Sequence, residues 1–172
     1  MKNIFKNTVL AALSAALVFA AFPMTSAFAQ GEVPNEKLEQ AWARQLKVYE
    51  KIGKGFEDTD AQIAKIQARI DKAAANGKDV AALQAALDAF GSALKSSRPI
   101  YDSISAIVNA HAGFDANGKV TDAELARSTL KEFHAKMLEL KSAMNGTGKA
   151  LREAIKAFRE ANKPEGAPQK DT

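Results

Sequence analysis

The residues best suited to chemistry in this 172-residue chain lie in one short run, Phe114-Asp115-Ala116-Asn117-Gly118-Lys119-Val120-Thr121-Asp122-Ala123-Glu124. Asp115, Asn117 and Glu124 are hard oxygen donors, the type that holds calcium or magnesium rather than zinc or copper. There are only two histidines, His111 and His134, and no cysteine. Any zinc site or nucleophile–base pair would have to be built around those two rings. If the segments carrying them run in opposite directions from an intervening turn, the rings sit ~20 Å apart along the axis. That is too far to share a metal at Zn–N distances of ~2.1 Å. The chemistry to expect is cation binding by oxygen, or none.

Spacing decides how much the run can carry. It resembles an EF-hand calcium loop that has lost two residues. An intact loop needs ligands at its first, third and fifth positions, glycine at the sixth and a bidentate glutamate at the twelfth. Asp115 and Asn117 fit the first and third, but Lys119 stands at the fifth and Glu124 falls at the tenth. The same residues also read as a glycine-bearing turn followed by a capping box, with Thr121 and Glu124 opening the next helix. Divalent-cation binding by Asp115, Asn117 and Glu124 is the alternative function; the turn is the plainer reading.

A second zone is defined by helix breakers. Gly53 and Gly55, beside Phe56, interrupt one helical segment, and Pro99, beside Tyr101, interrupts the next. The two breaks lie at similar distances from Asn76-Gly77, so they should face one another, with Phe133 nearby. Interior glycine costs ~1 kcal/mol and interior proline ~3 kcal/mol relative to alanine, which makes this zone a candidate hinge or pocket, or a kink filled by rings. At the level of His111, counting from the same turn gives Gln45, and a Gln45–His111 hydrogen bond that fixes register is expected. Thr59 and Ser97 should bond back to the preceding helical turn.

These residues are positioned by three long amphipathic segments. Trp42, Tyr49, Phe56, Ile63 and Ile70 recur every seven positions, with Leu38, Ile52, Ile66 and Ala73 in the companion row. Val80, Leu87, Leu94, Tyr101 and Val108, then Leu130, Met137, Met144, Leu151 and Phe158, repeat the pattern. Sevenfold recurrence is the heptad signature of packed helices, and period-two alternation is absent. Asn76-Gly77 and the 112–120 stretch punctuate the rows. The expected fold is all-α: an elongated antiparallel three-helix bundle with coiled-coil-like heptad packing, helices near 35–75, 79–111 and 121–162. In outline it resembles spectrin-type repeats, a likeness of architecture that carries no function. Alanine is concentrated between Ala61 and Ala89, and that end should be narrow.

Residues 1–29 differ from the rest. Lys2 and Lys6 precede an apolar run from Val9 to Phe22, and Ala27-Phe28-Ala29 supplies small residues before a cleavage point. The run is shorter than the ~20 residues of a membrane span, so a cleaved signal peptide is expected, followed by a bundle over 30–163 and a disordered tail over 164–172. No integral span remains after cleavage. Without cysteine the chain has no site for a lipoprotein anchor, which places it in the periplasm or outside the cell. The formal charge of +4 includes Lys2 and Lys6 and falls to about +2 without them. Acidic and basic residues alternate along the helices, as in Glu132, Lys136, Glu139 and Lys141. Nucleic-acid binding needs clustered basic residues and is not expected.

The run His111-Ala112-Gly113-Phe114-Asp115-Ala116-Asn117-Gly118-Lys119-Val120-Thr121, with the Gly77-Lys78-Asp79-Val80 turn, resembles an uncharacterised group of short secreted bacterial helical proteins. That resemblance implies export and a helical fold, and no activity. Stress-response periplasmic chaperones carry a Leu-Thr-x-x-Gln motif, which is absent here. The expected function is non-catalytic. An extracytoplasmic bundle would act through its helix surfaces, by protein binding, in a chaperone-like manner or as an envelope-structural element. No cofactor is expected; the partner is a protein the sequence does not identify, and exposed heptad flanks also allow self-association.

Overall fold

A computed structural model describes residues 33–163; the segments expected to be a signal peptide and a disordered tail lie outside the described residues. The fold is all-helical. Its elements are α1 (Asn35–Ala75), α2 (Ala81–Ala110), α3 (Ala123–Met144) and α4 (Thr147–Ala161). Among the described residues the only extended pairing is the isolated bridge between Phe114 and Val120. The third long segment is therefore an arm in two pieces. At its joint Asn145 and Gly146 both take left-handed angles, which end α3 and start α4. Gly146 adopts this conformation at no steric cost, and Asn is among the few other residues that tolerate it.

Burial follows the sevenfold rows. Along α1, Leu38, Trp42, Gln45, Ile66 and Ile70 are buried, and Tyr49, Ile52, Phe56, Thr59, Ile63 and Ala73 are half-buried. The row in the third arm crosses the joint without losing phase: Phe133, Met137 and Leu140 are followed by Met144, Thr147 and Leu151. Side-chain bonds fix which levels meet. Tyr49 donates to Ser105 at 3.0 Å, Arg98 pairs with Asp60 at 2.7 Å, and Gln67 and Gln84 exchange amide bonds of 2.8 and 2.9 Å.

Two buried clusters result. One, at the loop end, joins Leu38, Trp42, Ile104, Ile107, Phe114, Ala126, Leu130, Phe133, Met137 and Leu140. The other, at the turn end, joins Ile66, Ile70, Leu83, Leu87, Phe90 and Leu151. Between them no residue of α1 from Leu46 to Lys65 is fully buried. Of the alanines expected to narrow the turn end, Ala73 and Ala86 are half-buried and Ala86 packs against the turn-end cluster, whereas Ala61, Ala64, Ala68, Ala74, Ala75, Ala81, Ala82, Ala85 and Ala89 are exposed.

Two local expectations need correction. Gly53, Gly55 and Pro99 do not interrupt their helices, since α1 and α2 run unbroken through them. Tertiary packing of a long apolar stripe overrides the local propensity. The cap of α3 is Asp122 rather than Thr121: its carboxylate accepts the Glu124 and Leu125 amides at 2.9 and 3.0 Å. Asp caps at least as well as Thr, so with the two adjacent in sequence the choice falls to how the preceding loop enters.

Candidate functional site

The loop from His111 to Asp122 is held by its own backbone before any side chain helps. His111 ends α2 in the left-handed region, φ 33°, and its amide donates to Ile107 O at 2.9 Å. Gly113 follows at φ 83°, so close to α3 that a Cβ there would lie 2.2 Å from the Ala126 nitrogen. Asp115 N donates to Lys119 O at 2.8 Å and Gly118 N to Asp115 O at 2.9 Å, closing a tight turn beneath the Phe114–Val120 bridge. Asp115 Oδ1 accepts the amides of Asn117 and Lys119, both at 2.8 Å. Thr129 Oγ1 then ties the entry of the loop to α3 through Ala112 O, at 2.8 Å.

Side chains of α1 complete the site. Glu39 Oε2 accepts from Lys119 Nζ at 2.7 Å and Oε1 from Val120 N at 3.2 Å, so one carboxylate clasps the returning strand of the loop at two successive residues. One turn on, Trp42 stacks on Phe114 with centroids 4.9 Å apart and planes at 10°, and meets Phe133 edge-on at 6.2 Å. Offset stacks and edge contacts are the favoured aromatic geometries. Gly118 passes over the indole edge, where a Cβ would be 3.2 Å from Cδ1. Against this loop, α1 and the end of α2 leave an open groove of about 870 Å³, lined among others by Glu36, Leu46, Val108, His111 and Lys119.

Electrostatics follow these contacts. The Lys119 ammonium, then the Val120 amide, hold the Glu39 carboxyl below its ordinary range. Lys119 is raised in turn by Glu39. Asp115 is lowered chiefly by the backbone amide of Lys119. The loop is thus a structure in which anionic oxygens are answered by amides and one ammonium.

The calcium candidates are distributed accordingly. Asp115 and Asn117 are in the turn, while Glu124 is exposed in the first turn of α3, where a negative charge suits the helix N-terminus. Among the described residues no group of three His, Asp or Glu side chains is placed to hold a metal ion. Lys119, at the loop's fifth position, points its charge to Glu39 instead. Gln45 does not bond His111: its Nε2 donates to Leu130 O at 3.3 Å, and His111 Nδ1 sits 2.8 Å from Asn109 O. Counting residues from the turn set the level of Gln45 but not its orientation, and Gln45 faces α3.

The second zone also rearranges. Gly53 meets Tyr101, whose hydroxyl comes so near that a Cβ at Gly53 would lie 2.3 Å from it. Tyr101 stacks on Tyr49 at 4.9 Å and leans on Phe56 at 5.0 Å, and the Arg98 guanidinium stands 5.8 Å above the Phe56 ring. Burial, then Tyr49, pushes the Tyr101 phenol up. Gly55 accepts the Thr59 hydroxyl and Pro99 accepts that of Ser103. Ser97 bonds back to Ala93 O at 2.7 Å. Gly53, Phe56 and Tyr101 thus come together, and Phe56 and Tyr101 pack against the loop-end cluster that holds Phe133, whose own ring contact is with Trp42. Rings occupy the zone.

No family model, curated protein or solved structure matches this chain. The residues that organise the groove, Glu39 and Trp42, were not singled out by motif. Glu39 meets Lys119 across 80 positions of sequence, and only its place one turn before Trp42 hinted at that role.

Proposed function

We propose that this chain is exported and that its mature part is a non-catalytic antiparallel coiled-coil bundle, which binds another protein through the groove beside the 111–119 loop. The observation that carries the reading is the groove itself. It has a prebuilt floor and wall: Trp42 is clamped between Phe114 and Phe133, Glu39 locks the loop, and Leu46 and Val108 offer apolar surface beside the charges of Glu36 and Lys119. Apolar ground with a few fixed polar groups is what a bound segment uses for affinity and orientation. The bundle reading is supported by the meeting levels, since 49 with 105, 60 with 98 and 67 with 84 descend along α2 as they ascend along α1. Among the described residues no helix is long and apolar enough to cross a membrane.

Photo-crosslinkers placed separately at Leu46, Val108 and, on the far arm, Lys156 test the groove in the native envelope fraction. One discrete adduct from Leu46 and Val108 but not from Lys156 supports it; equal labelling from all three, or none, overturns it. N-terminal sequencing of the protein recovered from that fraction tests export, with a start near Gln30 expected. The alternative, calcium binding at 115–124, has less behind it because Asp115 Oδ1 is taken up by two amides and Lys119 occupies the neighbourhood. A calorimetric heat on calcium addition that vanishes in Asp115→Ala would favour it.

A further inference from the structure

Three Asn-Gly steps punctuate the helices: Asn76-Gly77, Asn117-Gly118 and Asn145-Gly146. Each places a side-chain amide beside a backbone nitrogen that no following Cβ shields. Two are restrained. Asn76 Nδ2 donates to Lys72 O at 2.6 Å and Gly77 N to Ala74 O at 2.9 Å. Gly118 N donates to Asp115 O at 2.9 Å, inside a turn that Asp115 Oδ1 also braces through Asn117 N. At the third, Asn145 and Gly146 are exposed, and among the described residues neither the Asn145 amide side chain nor Gly146 N has a hydrogen-bond partner.

The backbone there is one peptide flip away from the geometry for reaction. Asn145 at φ 40°, ψ 39° and Gly146 at φ 70°, ψ 4° form a type I′ pair. Flipping the single peptide plane between them gives type II′, with the Asn145 ψ near about −120°. The flip counter-rotates ψ of Asn145 and φ of Gly146, so α3 and α4 keep their directions, and glycine accepts both orientations. It breaks no bond at Gly146 N. The five-membered ring of Cα, Cβ, Cγ and the main-chain carbonyl carbon of Asn145 with the nitrogen of Gly146 holds ψ in that same region.

We propose that Asn145 is a self-modification site, converting through a succinimide to aspartate and isoaspartate. Gly146 N gives its proton to solvent base and bonds to Asn145 Cγ; the Cγ–Nδ2 bond breaks as solvent returns a proton to Nδ2, and ammonia leaves. Water then opens the ring. Cleavage at Cγ restores the normal chain with an aspartate side chain, and cleavage at the main-chain carbonyl leaves the chain running through the side chain. Either product adds a negative charge at the joint, where the start of α4 favours it and the end of α3 opposes it.

The test incubates the folded full chain in warm, mildly alkaline buffer and follows each Asn-Gly peptide by mass spectrometry, with a denatured sample alongside. Conversion at Asn145 several-fold faster than at Asn76 and Asn117 when folded, with the three rates converging when denatured, is the expected result. Asn76 or Asn117 reacting as fast as Asn145 in the folded chain would overturn the proposal. So would the same ranking in the denatured sample, because the selectivity would then come from sequence and not from the joint.

Discussion

At the loop end Trp42, Phe114 and Phe133 bring together α1, the loop and α3, with α2 supplying Ile104 and Ile107, and nearly every tie spans a long stretch of sequence. At the turn end Ile66, Ile70, Leu83, Leu87, Phe90 and Leu151 form a smaller, mostly aliphatic cluster around a tight turn, and the third arm arrives there as a separate short helix. One ion pair at each end makes the same point: Glu39–Lys119 crosses 80 positions, whereas Glu160–Lys163 is an exposed pair three apart at the end of α4. Repetition of one apolar row is enough to assemble the turn end. The loop end needs particular residues in particular places, which is what a recognition surface also needs.

If that contrast is right, single substitutions should weigh unequally. Trp42→Ala removes a 3%-exposed indole and both of its aromatic contacts. A loss of about 3 to 5 kcal/mol is expected in chemical unfolding followed by circular dichroism, a large share of the ~5–15 kcal/mol typical of a domain. Leu151→Ala, at a fully buried position of the turn end, should cost about 2 to 3 kcal/mol. Its hydrogen-exchange effect should be confined to α4 and the neighbouring turns of α1 and α2. A Leu151→Ala loss equal to that of Trp42→Ala would erase the distinction between the two ends.

Capping sharpens it on a smaller scale. Asp122→Ala deprives two α3 amides of their acceptor and should cost about 1 kcal/mol. Thr121→Ala, a change at the residue beside it, should cost less, because the Thr121 side chain does not cap the helix. If Thr121→Ala proves the more damaging, the assignment of the cap is wrong.

The arms and their buried rows were readable because burial has a period and so does the sequence: the positions from Leu38 to Ile70 that repeat in one repeat in the other. The joint at Asn145-Gly146 was harder, since the row of Met144, Thr147 and Leu151 keeps its phase across the break and periodicity alone is blind to it. Gly53 read as a helix weakness when its role is to admit the Tyr101 hydroxyl, a contact with a partner 48 positions away. Gln45 was placed at the right level and given the wrong partner, because a level says nothing of which neighbouring arm a side chain faces. The groove was illegible for the same reason: Glu39, Trp42 and Lys119 share no local motif.

Acid offers the finest probe of the difference between the ends. The carboxyl of Glu39 titrates below its ordinary value of 4.5 because Lys119 and the Val120 amide favour the charged form. A depressed folded value means that the contribution is complete above the ordinary value and disappears as pH falls through the lowered one. Glu160, lowered by Lys163, obeys the same sign, but its pair lies within one helical turn and holds no other element in place. Trp42 is the only tryptophan, and it sits one turn from Glu39 against the loop, so its fluorescence reports the loop end alone. Titrating below 4.5, the fluorescence should change before helix content by circular dichroism does, and Glu39→Gln should remove that early change while Glu160→Gln leaves it. An acid transition that is simultaneous in both signals, and unaltered by Glu39→Gln, would mean that the clasp on the loop is incidental and that the two ends are equally secured.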